Sequence, residues 1–246
     1  MTLCLATTTS TKFTRLMMLT AIVLWAATFA FAGSITIFTG SDDGASTSGP
    51  WPNSSAAQAS FLAAAGPTTL VNFENVAVGF YSPVVPNSTV SIALNAPNFG
   101  NGFSGISNTT IGSLNGFNVT PGGSQWLGVA KGSATFNFAS PVHDFGLWLT
   151  GVQTIFTSTF TLTFNDGTAE TLNLPINVNG GTSYYAFTDS ASFSSITITN
   201  LSIDAWGIDD VSYSAISSTV PEPTSLMLLG SGVVGLAGLL RRKLMQ

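Results

Sequence analysis

Short runs that alternate apolar with polar residues recur along this chain, separated by tight-turn sequences, and that period-two pattern leaves few folds open. Phe160-Thr161-Leu162-Thr163-Phe164 is the clearest of them. It meets Asn165-Asp166-Gly167 before Thr171-Leu172-Asn173-Leu174, so the pair reads as a hairpin. Ile35 to Phe38, Leu70 to Phe73, Val90 to Leu94, Thr135 to Phe138, Phe145 to Leu149, Ser195 to Thr199 and Trp206 to Tyr213 add further strands. One helix stands out: Ser54 or Ser55 caps a run through Ala56, Ala57, Phe61 and Leu62 that stops at Gly66-Pro67. Ser82 to Gly123 is rich in Asn, Gly, Ser and Pro and shows no regular period. Many short strands joined by polar, glycine-rich turns predict an all-β, antiparallel two-sheet sandwich, jelly-roll-like, with one short N-terminal helix.

Charge narrows the function classes. Between Gly33 and Thr219 the only basic residue is Lys131, against ten acids, a formal charge of −9. Such a surface repels nucleic acid, whose phosphates need clustered Lys and Arg. It attracts divalent cations instead. The only cysteine is Cys4, so the segment after it forms no disulfide, and its stability comes from its core or from bound ions.

Both ends of the chain read as targeting segments. Lys12 and Arg15 precede an apolar stretch from Leu16 to Phe31, and Ala30-Phe31-Ala32 fits a small-x-small cleavage site, so residues 1–32 read as a removable signal peptide. The ectodomain is expected at 33–219. Residues 220–246 form the second segment: Pro221-Glu222-Pro223, an uncharged apolar stretch expected as a transmembrane helix at 225–240, and Arg241-Arg242-Lys243. From Thr224 to Leu240 a helix spans roughly 25 Å, short for a bilayer core of about 30 Å, and long arginine stems reaching the head groups help it to cross. The basic end places the C-terminus in the cytoplasm and everything before it outside. Pro221 and Pro223 hold Glu222 on an extended stretch.

In that three-part order, Pro221-Glu222-Pro223, the apolar stretch and Arg241-Arg242 resemble the PEP-CTERM sorting signal of exopolysaccharide-producing Gram-negative bacteria. The resemblance covers roughly the last 27 residues. It implies recognition by an exosortase, a membrane-embedded cysteine protease-like enzyme, and processing near the Pro-Glu-Pro motif. Pro221, Glu222, Pro223, Arg241 and Arg242 are then substrate residues. An ordinary tail anchor is the other reading of the same segment.

Two acidic clusters carry what chemistry the ectodomain offers. Asn72-Phe73-Glu74-Asn75 ends a strand with a carboxylate, and Trp206-Gly207-Ile208-Asp209-Asp210-Val211 places two side by side. Ile208 and Val211 are three apart and cannot both be buried by strict alternation, which predicts a bulge at Asp209-Asp210 that re-aims a carboxylate. An early Phe-Glu with a late Ile-Asp-Asp resembles calcium-bearing carbohydrate-binding jelly rolls and MAM-type sandwiches. That resemblance implies a structural Ca²⁺ held by Glu74, Asp209 and Asp210, a hard cation on oxygen ligands. The bland reading is acids solvated or bonded to loop backbone.

Other residues point elsewhere. Asp42-Asp43-Gly44 reads as a turn. His143-Asp144 sit next to each other on a strand, so their side chains face opposite ways and form no relay. With one histidine, and no Gly-x-Ser-x-Gly elbow, no catalytic residue is assigned. Trp51, Trp126, Trp148 and Trp206 read as core before they read as sugar platforms. The small helix, the Phe-Glu strand, Gly122-Gly123, Pro141-Val142, Phe145-Gly146 and the closing Gly-Ile-Asp-Asp-Val are similar to domains found ahead of this sorting tag. The expectation is a non-enzymatic exported protein, outer-surface or matrix-bound, with exosortase and membrane as transient partners and extracellular polysaccharide as its setting. A lectin-like carbohydrate-binding module is the alternative, and a secreted glycan hydrolase stands third.

Overall fold

A computed structural model describes residues 34–95, 104–110 and 112–215. The signal peptide expected at 1–32 and the sorting segment at 220–246 lie outside the described residues. Among those described, no helix is long and apolar enough to cross a membrane.

The elements in order are β1 (Ile35–Asp43), α1 (Pro52–Ala65), β2 (Thr69–Val71), β3 (Val84–Asn87), β4 (Val90–Asn95), β5 (Gly105–Ser107), β6 (Trp126–Thr150), β7 (Phe160–Asn165), β8 (Ala169–Asn173) and β9 (Gly181–Ala215). All named strands pair antiparallel. β6 and β9 are far longer than an ordinary strand, and each serves two layers. In one layer the end of β6, from Asp144 to Thr150, lies between two parts of β9, residues 182–188 and 207–214, with β1 and β2 on the flanks. In the other, Ser133 to Asn137 of β6 pairs with Ser195 to Thr199 of β9, with β4 and β3 on one side and β7 and β8 on the other. Among the described residues the chain therefore forms the expected antiparallel sandwich with a single helix.

Period-two burial explains the layers. In β7 Phe160, Leu162 and Phe164 turn inward while the residues between them stay half-exposed, and in β4 Val90, Ile92 and Leu94 do the same. The facing side chains meet in one core: Phe164 stacks on Phe187 at 4.8 Å, and Phe160 meets Trp206 edge-on at 4.9 Å. Each such fully buried side chain contributes about 1.5–3 kcal/mol by leaving water.

A second, smaller core lies on the outer face of the first layer. α1 packs Ala57 and Phe61 there against Phe117, Trp148, Tyr184 and Ala186. The helix begins differently from the sequence expectation. Its N-cap is Trp51, whose side chain makes no capping bond, and Pro52 takes the first turn. The carboxylate of Asp42, on β1, caps it from outside by accepting the Asn53 and Ser54 amides at 3.1 and 2.9 Å. Ser54 sits inside the helix and is buried. Asp42 is thus a helix cap as well as a member of the expected turn, since its carbonyl accepts the Ala45 amide at 3.3 Å and Gly44 follows at φ 64°.

Candidate functional site

The bulge expected at Asp209-Asp210 is present. Trp148 opposes Asp209 and Gly146 opposes Ser212, so three steps on β9 match two on β6. Asp210 takes the left-handed conformation, φ 44°, and Ile208 and Val211 are both buried in the core as a result. Phe73 is also left-handed, at φ 62°, which keeps its ring in the core and throws Glu74 outward. β2 pairs Val71 with Val211, so the two distorted turns stand side by side.

Glu74, Asp209 and Asp210 are drawn together there through residues of the 115–125 segment. Glu74 Oε1 accepts the Gln125 amide at 2.8 Å, the Ser124 amide at 2.9 Å and Asn118 Nδ2 at 2.9 Å. Asp209 Oδ2 accepts the Val119 amide at 2.8 Å, and Asn118 Nδ2 and Thr120 approach it at 3.2 to 3.4 Å. Asp210 Oδ1 accepts the Thr120 hydroxyl at 2.7 Å. Asn118 therefore bridges Glu74 to Asp209, and Thr120 bridges Asp209 to Asp210. Gly123 leaves room for this approach: a Cβ there would stand 2.4 Å from Glu74 Oε1 and would push the carboxylate aside.

The electrostatics are one-sided. Asp209 is fully buried, and burial first, then the charge of Asp210, pushes its carboxyl well above the usual range despite the amides that favour the anion. Asp210 is raised by burial, with Glu74 adding repulsion. Lys131 is the only Lys or Arg among the described residues, and it contributes to neither shift. One acceptor is left over: Gln125 donates its Nε2 to the Glu74 carbonyl at 3.0 Å, while its Oε1 is buried without a partner. Three carboxylates, no cation and an orphaned amide oxygen form a donor set that suits a hard divalent ion. As they stand, though, most of the carboxylate oxygens face N–H groups, and among the described residues no three His, Cys, Asp or Glu side chains form a ready metal-binding group.

Asn118, Thr120 and Gln125 were not singled out as site residues from the sequence. The first two belong to the triplet Asn118-Val119-Thr120, whose glycosylation-like pattern is incidental to its role here.

Three other acids are raised by burial. Asp204 lies beneath the 153–157 loop and accepts the Gln153 amide and Thr157 hydroxyl; Asp144 accepts the Ser214 hydroxyl; Asp189 has a buried oxygen without a partner. Asp144 bonds to Ser214 rather than to His143, in keeping with a strand whose adjacent side chains diverge. A pKa raised in the folded state means that folding takes up protons, so the associated stability is complete below the ordinary carboxylate range and is lost as pH rises through the folded values. The melting temperature is expected to be higher at pH 5 than at pH 8. Differential scanning calorimetry at fixed ionic strength checks this, and a maximum at pH 8 would contradict it.

The tryptophans behave as core. Trp126, Trp148 and Trp206 are 1, 4 and 1% exposed. Trp51 is half-buried against Phe117 and Trp148. None of the first three presents a ring to a ligand.

Fold and site together define an all-β antiparallel sandwich whose loop of residues 115–125 is fastened over an acidic cluster. The chain's sorting is read from its C-terminus. Residues 219–243 match the family model for the PEP-CTERM protein-sorting motif, which marks the chain as an exosortase-sorted surface protein and implies an exported, membrane-anchored precursor. No curated protein matches the sequence. Among solved structures, the enzymatically active domain of tailspike protein 4 of bacteriophage CBA120 is similar, with 17% identity and a TM-score of 0.29, over 61% of this chain and 20% of that one.

Proposed function

We propose that the ectodomain is a non-catalytic structural or adhesive module of the outer surface or extracellular polysaccharide matrix of a Gram-negative bacterium, delivered there by exosortase processing. One observation carries the non-catalytic reading. The carboxylates best placed for chemistry have their oxygens committed to the amides of residues 118–125, an arrangement that holds a loop rather than addresses a substrate. The buried tryptophans weigh in the same direction, against a lectin that stacks sugars on them. A glycan array probed with the exported protein separates the two readings. Discrete sugar hits favour a carbohydrate-binding module, and a blank array favours a matrix component.

The same cluster is our candidate for structural calcium. Glu74, Asp209, Asp210 and the orphaned Gln125 Oε1 would hold it, and the ion would supply the positive charge that these acids lack. Its role would be to neutralise the cluster and staple the loop to the bulge of β9. Calcium at saturating concentration is expected to raise the melting temperature by several degrees, since an ion at about 100 times its dissociation constant adds about 2.7 kcal/mol. Chelator should reverse the rise. A melting temperature indifferent to both would remove calcium from the account.

A further inference from the structure

One end of the sandwich is apolar in a way that neither the sorting motif nor the acidic cluster explains. The loop after β6 exposes Ile155 and Phe156, 74 and 42% accessible, and the neighbouring stretch of β9 exposes Leu201 and Ile203, both 74%. These are not loose side chains on unrelated loops. The Ser158 amide donates to Ser202 Oγ at 3.3 Å, Asn200 Nδ2 donates to Thr157 Oγ1 at 2.9 Å, and Asp204 Oδ2 accepts both Thr157 Oγ1 at 2.8 Å and the Gln153 amide at 3.1 Å. The two segments are therefore strapped together by buried polar groups, while four large apolar side chains point to solvent. Leu201 and Ile203 share a face because they are two apart, with Ser202 turned inward between them.

Lys131 stands at the same end. Ala130 opposes Ala205 and Gly132 opposes Asn200, so residues 201–204 loop out of β9 opposite Lys131, which is exposed and in the left-handed conformation at φ 49°. The only Lys or Arg of the described ectodomain is thus set at the rim of this apolar group. The nearest acid, Asp204, is 2% exposed and spent on the loop; Asp43 bonds to Asn179 at the flank.

We propose that this tip is a lipid-docking surface, which inserts Ile155, Phe156, Leu201 and Ile203 among acyl chains while Lys131 meets head-group phosphate. Two physical arguments favour a bilayer over a second copy of the chain. Four side chains form a patch of a few hundred Å², well below the roughly 800 Å² per partner that a stable protein interface buries, whereas insertion into lipid needs no matching shape. A tip-to-tip pair would also bring the two Lys131 side chains together, whereas a phospholipid head group offers each of them a phosphate.

The fold says which bilayer. β9 runs away from the tip, from Asp204 to Ala215, a path of roughly 35 Å, and Ala215 pairs with Val142 at the other end. Five residues lie between Ala215 and Pro221, at most about 20 Å of chain. In the membrane-anchored precursor the tip lies at the end of β9 remote from the tether, so an upright molecule presents it, before release, to a second surface.

The test uses the precursor from Gly33 to Gln246 with Leu201→Cys as its one cysteine, carrying an environment-sensitive fluorophore at position 201 and reconstituted through its tail into donor vesicles. Acceptor vesicles of phosphatidylcholine and phosphatidylglycerol are then added. The expected result is a blue shift on adding acceptors, together with clustering of donors and acceptors by light scattering. Leu201→Ser with Ile203→Ser, at positions too exposed to disturb folding, should lower the affinity for acceptors by about tenfold or more. Absence of a shift, or clustering as strong in the double serine variant, would overturn the proposal. A shift that grows with protein concentration without acceptors would overturn it too, by identifying a second copy as the occupant.

Discussion

Replacing Asp209 with alanine is expected to lower the melting temperature of the ectodomain by roughly 5–15 °C and to open the 115–125 segment to protease. Three backbone donors lose their partner, the Val119 and Asp210 amides at 2.8 Å and, more weakly, the Thr120 amide at 3.3 Å. A buried donor left unsatisfied costs about 1–3 kcal/mol. Removing a buried carboxyl that is itself held well above its usual pKa returns part of that, leaving a net loss of about 2–4 kcal/mol, or about 2–4 °C for each kcal/mol in a domain of this size. The effect should be local before it is global. Asn118 and Thr120 span the three acids, so their shared loop is freed while the core between the layers persists. Asp209→Asn keeps an acceptor for Val119 and should lose less. Thermal melts with limited proteolysis of the two variants check the ranking, and an alanine variant that melts like the parent would show that the cluster does not anchor the loop.

Replacing Glu222 with alanine is expected to have a larger effect on fate and almost none on folding. Glu222 lies within residues 219–243, which match the PEP-CTERM motif, and on our proposal it is part of what the exosortase reads, while the two cores are built from described residues between 57 and 213. The variant should accumulate as a membrane-bound precursor with an unchanged melting temperature. Cell fractionation with immunoblotting measures the first and calorimetry the second. Normal release of the variant would mean that the Pro-Glu-Pro glutamate is not what sorting depends on.

The strands were legible because side-chain alternation is a local property. Phe160 to Phe164 and Val90 to Leu94 bury every second residue as their sequences imply. The bulge was legible for a related reason: Ile208 and Val211 cannot both face the core without one extra residue between them, and Asp210 supplies it at φ 44°. What stayed hidden depends on contacts distant in sequence. The cap of α1 comes from Asp42, a strand residue some ten positions away, so a search for Ser or Thr at the helix start finds Ser54 instead. The continuity of β6 and β9 across both layers has no local signature either, because Pro141 and the serines near 190–195 read as ends of strands rather than bends within one. At the acidic cluster the three carboxylates announced themselves by type. Their bridging partners did not, since Asn118, Thr120 and Gln125 are ordinary loop residues until Glu74 and Asp209 are brought to them from 44 and about 90 positions away.

The tip and the cluster divide the work between neighbouring parts of one sandwich: Asp209 opposes Trp148 near the end of β6 that leads into the tip loop. The cluster fastens a loop where the chain doubles back beside β2, and the apolar tip lies where β9 turns from one layer into the other.

Intact-mass and terminal-peptide mass spectrometry of the surface-released protein, from cells with and without the exosortase, tests the central claim most directly. The account predicts a mature chain in exosortase-positive cells that ends near Pro221-Glu222-Pro223 and lacks the apolar segment from Leu226 to Leu240, and a precursor that keeps both in cells without the enzyme. The same C-terminus in both strains would contradict it.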